Sequence, residues 1–210
     1  MIRYAKGPAP ARLTALTTTP NMTWDGLGTD DRQPIRDALI RDQAALCAYC
    51  QRRIGSAQMK IEHWFARHPD GADLQLTWSN MLGVCLGRSA RDRHCDENRG
   101  NRALFLQPVD GLGPDPREHL RYTKHGDVES TSPNPRVADD IRILNLNAYA
   151  LTRARREVYD AFLDRWQRAG YGAQELRKLD RECEIRPSTA GREHAEFLRF
   201  HVRKKLRRAG

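Results

Sequence analysis

The sequence predicts an α+β fold that is mostly helical, with one small strand-and-helix core pinned by cysteines. Three observations predict it. Apolar residues recur at helical spacing through residues 137–183 and again through 189–208. Two short segments, 58–66 and 119–129, carry strand and hairpin patterns. Four of the five cysteines, Cys47, Cys50, Cys85 and Cys95, bracket the first of those segments.

The elements follow in order. Residues 1–30 are rich in Pro, Thr and Gly and read as an extended, irregular arm anchored by Trp24. Residues 31–46 have helical spacing, with Ile35, Leu39 and Ala44–Leu46 on one face and Asp30 or Asp31 as cap. That helix delivers the chain into Cys47-Ala48-Tyr49-Cys50. A strand over 58–66 alternates apolar positions at Met59, Ile61 and Trp64 or Phe65. Residues 67–75 read as a turn-rich loop, 76–86 as a second short apolar stretch, and 87–96 as a polar spacer. Asp96 and Glu97 then supply the first-turn chemistry of a helix.

After a loop at 107–117, a hairpin is expected around His125-Gly126-Asp127, and a linker over 130–136. The long helical run passes through Val137, Ile141, Leu144, Leu146, Leu151, Val158, Phe162 and Trp166, and should stop near Gly170 and Gly172. A last basic helix places Phe197, Leu198, Val202 and Leu206 on one face. The domain division is therefore an arm over 1–30, a core over 31–130 and a basic helical region over 131–210.

Charge narrows the function. The chain has 210 residues, a net charge of +9 and an isoelectric point near 9.7. Residues 151–210 hold 16 Lys and Arg against 9 Asp and Glu, so most of the excess lies there. Such a balance favours a polyanion, and nucleic acid first, although a solvated basic face is the plain alternative. No run approaches the roughly 18 apolar residues of a membrane span, and the first residues lack the apolar core of a secretory signal. The chain reads as cytoplasmic.

Five cysteines, an odd number, argue against a disulfide framework. A C-x-x-C turn presents two thiolates from one bend, and zinc takes four such ligands in a tetrahedron. Cys85 and Cys95 are the candidates for the other two, with His94 able to replace one thiolate. The alternative is that Cys47 and Cys50 are small buried apolar residues. Cys183 reads as an ordinary core cysteine.

Glu62 and His63 lie on the strand between the cysteine pairs, followed by Asn80 and the polar helix start at Asp96. Neighbouring strand residues point to opposite faces, so a local twist is needed for Glu62 and His63 to share a site.

The order C-A-Y-C, K-I-E-H-W, L-T-W-S-N-M-L-G-V-C and H-C-D-E-N-R-G resembles the HNH endonuclease superfamily. With L-R-Y-T-K-H-G and I-R-I-L-N-L-N it is most similar to the PtuB-like HNH nucleases of Septu and retron-linked anti-phage systems, over roughly residues 20–155. The resemblance implies a ββα-metal fold, a hairpin packed on a helix, beside a structural zinc knuckle. It implies that His63 is the general base, Glu62 a ligand of the catalytic divalent ion, and Asn80 the brace that aims His63. Asp96 falls where the superfamily usually has its last His ligand, which leaves His94 as competitor for that role. It also implies an ABC/SMC-type ATPase partner like PtuA, and for retron members a reverse transcriptase with its msDNA.

Elementary chemistry agrees with those roles. Phosphodiester hydrolysis needs an activated water and neutralisation of the phosphoryl charge. His63 is neutral near physiological pH and can take a proton. The carboxylates of Glu62 and Asp96 suit Mg²⁺ or Mn²⁺ with waters retained. Arg99 and Arg102 could hold flanking phosphates or form a solvated helix face. His68, His119 and His125 read as surface residues, and Trp64, Trp78 and Trp166 as packing. Two other readings stand beside a DNA nuclease: the same site cutting RNA such as tRNA, and a non-catalytic zinc module that binds nucleic acid.

Overall fold

The computed structural model describes residues 1–68, 71–87 and 92–209. The expected loop over 67–75 and spacer over 87–96 fall partly outside these described residues. Eight helices and four strands are described. In chain order they are α1 (Ala11–Thr17), α2 (Thr29–Asp42), β1 (Met59–His63), β2 (Met81–Cys85), α3 (Asp96–Arg99), α4 (Pro116–His119), β3 (Leu120–Tyr122), β4 (Val128–Ser130), α5 (Pro135–Ile143), α6 (Tyr149–Arg168), α7 (Ala173–Glu182) and α8 (Ala195–Ala209). Helices and two small antiparallel sheets make this a mixed fold compatible with α+β.

The arm differs from its expectation. Leu13 and Leu16 of α1 are buried, and α1 packs on α2, whose Ile35 and Leu39 are also buried. The Pro-rich start hides this helix from periodicity. Ile2 N–H donates to the Ala48 carbonyl at 3.1 Å, and Tyr4 bridges to Val109. Lys6 Nζ donates to the carbonyls of Trp78 and Met81. The first residues are thus seated on the core.

Helix α2 begins where Gly28 N–H donates to Asp31 Oδ2 at 3.0 Å. It ends at Asp42, four residues before the expected end, because Ala44 and Ala45 take left-handed backbone (φ 54° and 57°). Gln43 is buried there and replaces a strand neighbour. Its Nε2 donates to the carbonyls of Leu46 (2.8 Å) and Gly83 (2.7 Å), and its Oε1 accepts from Gly83 N–H at 2.7 Å. Gly83 permits this close approach: a Cβ there would meet Met59 Cε at 3.0 Å and Ile54 Cδ1 at 3.1 Å.

Strands β1 and β2 pair with Met59 opposite Cys85, Ile61 opposite Gly83 and His63 opposite Met81. Met81, Leu82 and Val84 are buried, so β2 lies against the core. One turn of helix, α3, follows the cysteine site. Cys95 N–H donates to the Leu144 carbonyl at 2.8 Å, and Asn98 Nδ2 to the Ile143 carbonyl at 3.0 Å, which docks α3 on the end of α5. Buried Asp140 of α5 accepts from the N–H groups of Phe105 and Leu106.

The second hairpin, β3–β4, turns at Thr123–Asp127 as expected. Gly126 has φ +96°, and a Cβ there would lie 2.2 Å from the Thr152 carbonyl. The expected helical run is three helices. Asn145, with φ 45°, separates α5 from α6, and Gly170, with φ 64°, separates α6 from α7. Phe162, Leu176, Leu179, Cys183, Leu198 and Val202 form a second core between α6, α7 and α8. The last helix starts at Ala195 rather than 189, after residues 187–194 lay themselves along α2's end through Gly191 N–H to the Ala44 carbonyl at 2.7 Å.

Candidate active site and cysteine centre

The cysteine centre begins with a tight turn. Leu46 bridges Arg53, Cys47 N–H donates to the Arg52 carbonyl at 2.8 Å, and Gln51 takes φ 67°. This turn carries Cys47 and Cys50. Cys85 comes from the end of β2 and Cys95 from the residue before α3. The four sulfurs lie within 4.8 Å of one another. Cys47 Sγ is 3.9 Å from Cys95 Sγ, and Cys50 Sγ is 3.6 Å from Cys85 Sγ. Zinc–sulfur bonds of about 2.3 Å in a tetrahedron place sulfurs about 3.8 Å apart, so the set fits a structural zinc. Burial pushes the Cys50 and Cys95 thiols up, whereas Cys85, bonded by Cys47, Cys50 and Cys95, is pulled down. A divalent cation would supply the charge that holds all four as thiolates.

His94 sits at this centre. Its Nδ1 is 3.2 Å from Cys95 Sγ and 3.9 Å from Cys85 Sγ, and the residue is 1% exposed. It is not among the residues that line the neighbouring cleft.

That cleft, of about 240 Å³, brings Glu62, His63 and Asp96 together, with Trp24, Arg67 and Asn101 also in its wall. Glu62 and His63 reach it together because His63 is the last residue of β1. His63 Nε2 is 2.8 Å from the carbonyl of Gln75, so Nε2 carries the proton and Nδ1 keeps its lone pair. The Trp24 ring packs edge-on at 4.8 Å from the His63 ring, and Trp24 N–H donates to Gln75 Oε1 at 2.9 Å. Burial lowers the His63 pKa to about 4, so the ring is neutral at pH 7.

Asn80 holds the loop that presents Gln75. Its Oδ1 accepts from Phe65 N–H at 2.7 Å, and its Nδ2 donates to the carbonyls of Phe65 (3.0 Å) and Leu74 (3.3 Å). The side chain therefore clamps the residues after His63 to the residue before Gln75.

Glu62 and Asp96 form a carboxyl pair. Burial raises the Glu62 pKa to about 8; the Arg99 cation opposes that rise and the Asp96 carboxylate adds to it. Arg99 Nη1 donates to Glu62 Oε1, as does the Tyr49 hydroxyl at 3.5 Å. Lys60 Nζ donates to Asp96 Oδ2 at 2.9 Å and to Glu97 Oε2 at 2.8 Å. These cations engage one oxygen of each site carboxylate. Two adjacent carboxyl groups at the wall of a polar cleft are a donor set that fits a hard divalent cation.

Arg99, expected at a flanking phosphate, is 1% exposed. Its guanidinium donates to Glu62, to Tyr49 Oη (3.2 Å), and to the carbonyls of His63 (3.0 Å), Trp64 and Arg102 (2.8 Å). It acts inward, as a tie between α3 and β1. Arg102 is exposed, and its Nε donates to the Arg99 carbonyl at 2.8 Å, at the end of α3. Tyr49, Lys60, Arg67 and Gln75 were not singled out from sequence. Lys60 had a signal, since it shares a strand face with Glu62. Gln75 acts at His63 through a backbone carbonyl, which leaves no trace in sequence.

Among the described residues no helix is long and apolar enough to cross a membrane. No protein-family profile matches the chain. Two curated proteins are similar to part of it. The "Retron Ec83 putative HNH endonuclease" of Escherichia coli is 35% identical over 78 residues, covering 32% of this chain and 30% of that protein. The "Retron Vc95 putative HNH endonuclease" of Vibrio cholerae serotype O1 biovar El Tor is 27% identical over 77 residues, covering 36% of this chain and 38% of that protein. The chain thus spans well under half the length of each relative. Over that stretch, both similarities support kinship with the HNH endonucleases.

Proposed function

We propose that the chain is a metal-dependent HNH-type endonuclease that hydrolyses phosphodiester bonds, with DNA as the preferred substrate. The observation that carries this reading is the single cleft in which Glu62, Asp96 and the unprotonated Nδ1-bearing ring of His63 meet. The hairpin β1–β2 and the turn of α3 act as the ββα-metal unit, and the four cysteines bind the zinc that holds α3 to the Cys47–Cys50 turn.

His63 accepts a proton from water as the water oxygen bonds to phosphorus and the bond to the leaving oxygen breaks. Glu62 and Asp96 would hold Mg²⁺ or Mn²⁺, which supplies neutralisation of the phosphate and the leaving oxygen. Asn80 and the Gln75 carbonyl keep the His63 ring in the tautomer that accepts. Arg99 keeps Glu62 and the β1 backbone in place.

The wider setting rests on the family resemblance and on the retron names of the two relatives. We propose an anti-phage effector in the cytoplasm that works with a PtuA-like ATPase, and in a retron with a reverse transcriptase and msDNA. The test is nicking of plasmid DNA with Mg²⁺ or Mn²⁺, with and without the ATPase, by wild type and His63→Ala. Loss of nicking in the variant is expected. Equal nicking would overturn the role of His63, cleavage of total tRNA in place of plasmid would move the substrate to RNA, and binding without cleavage would favour a zinc scaffold.

A further inference from the structure

Beside the catalytic cleft lies a second cavity of about 240 Å³ with different walls. Trp64, Phe65 and Leu104 make it mainly apolar, and Arg136 is the one cation among its lining residues. The two cavities are continuous in their lining: Ala66, His68 and Asn101 belong to both. Phe65 is 40% exposed, an unusual placement for a large apolar ring two residues beyond a catalytic histidine. Its backbone is fixed on both sides by Asn80, so the ring is presented from a rigid segment. The Trp64 ring is oriented by its Nε1–H bond to the Leu106 carbonyl at 2.9 Å. Arg136 stacks over Phe105 at 5.0 Å and forms no ion pair among the described residues.

We propose that this cavity is a nucleobase subsite, which receives one unpaired base of the nucleotide next to the scissile phosphate. The inference rests on the nuclease reading of the adjoining cleft. The reasons are chemical. A nucleic acid strand alternates an anionic phosphate with a flat, apolar-faced base, and here a polar cleft for the first adjoins an aromatic cavity for the second. Phe65 offers a ring for stacking, which every base accepts regardless of sequence. Asn101, His68 and Arg136 are also in its lining and offer polar groups to base edges and to the next phosphate. A base stacked in a duplex cannot enter such a cavity, so occupancy requires single-stranded or locally opened nucleic acid.

The test uses the full chain and two 20-nucleotide DNA probes, one single-stranded and one duplex of the same sequence, each with a single 2-aminopurine. Binding is followed by anisotropy with Ca²⁺ in place of Mg²⁺, and nicking is followed separately with Mg²⁺. Wild type should bind the single strand more tightly than the duplex and quench 2-aminopurine. Phe65→Ala should lose about tenfold in single-strand affinity and most of the quenching, and Phe65→Trp should restore both. Arg136→Ala should weaken single-strand binding by a smaller factor. Unchanged affinity and quenching in Phe65→Ala would overturn the subsite while leaving the nuclease reading intact. Conversely, equal nicking by wild type and His63→Ala would overturn the catalytic reading without altering the binding ratio.

Discussion

Arg99 and Glu62 are joined side chain to side chain within the protein, with Arg99 1% exposed and the Glu62 side chain 11% exposed. The same guanidinium also holds the His63 and Trp64 carbonyls, so one cation fixes both the carboxylate and the backbone of the proposed site. Removing the guanidinium leaves the Glu62 carboxyl group and the His63 and Trp64 carbonyls without their buried donor, at a cost of about 3–5 kcal/mol in all. Arg99→Met should therefore lower unfolding free energy by roughly that amount, and Arg99→Lys by less, since one ammonium cannot span the same acceptors. The double variant Arg99→Met, Glu62→Gln should be less destabilised than the sum of the single changes. Strict additivity in urea unfolding would mean the two residues are not coupled.

The cysteine centre makes a prediction of composition. Purified protein should carry about one zinc per chain by elemental analysis, and a strong chelator should lower its melting temperature. Cys50→Ser and Cys95→Ser should lose the metal and become protease-sensitive. His94→Ala should retain zinc, because four thiolates already complete the tetrahedron. Loss of zinc in His94→Ala with retention in Cys95→Ser would transfer the fourth ligand to His94.

The parts of this site visible in sequence are those whose side chains act by type and spacing. Cys47, Cys50, Cys85 and Cys95 were grouped from sequence, and the structure brings their sulfurs together. Glu62, His63 and Asp96 were placed in one site, and they line one cleft. Arg99 was named from sequence for a flanking phosphate, and its inward role was hidden because α3 is a single turn, too short for periodicity to tell an inward face from an outward one. Helix α1 was hidden by the proline and threonine around it. The contact of His63 with Gln75 was hidden because its acceptor is a backbone carbonyl, which any residue carries.

Asn80 tests the link between loop geometry and the proposed chemistry. Asn80→Ala leaves the Phe65 N–H and two carbonyls without their side-chain partner, at a cost of about 1–3 kcal/mol. The fold should survive at moderate temperature. If the loop positions His63, nicking rate should fall about 10²-fold while affinity for duplex DNA, which does not occupy the Phe65 cavity, changes little, since a displaced general base costs rate rather than binding. A proportional loss of affinity with unchanged maximal rate would assign Asn80 to binding instead.

The C-terminal helix supplies a pH-dependent contribution far from the cleft. His201 is 6% exposed, and its ring lies edge-on to Tyr159 at 4.7 Å and Phe197 at 4.8 Å. Burial lowers its pKa to about 4, with Lys204 and Lys205 adding to the effect and a backbone bond to Thr123 opposing it. The folded pKa lies below the ordinary value of 6.5, so the unfolded chain takes up the proton first as pH falls. The stability associated with the neutral ring is complete above pH 6.5 and is lost between about 6.5 and 4, by at most about 1.4 kcal/mol per pH unit. His201→Phe keeps an aromatic ring in the cage and removes the titration. Urea unfolding at pH 7.5, 6.5, 5.5 and 4.5 should show a shallower acid loss for the variant than for wild type. Parallel pH profiles for the two proteins would assign the acid sensitivity to other groups.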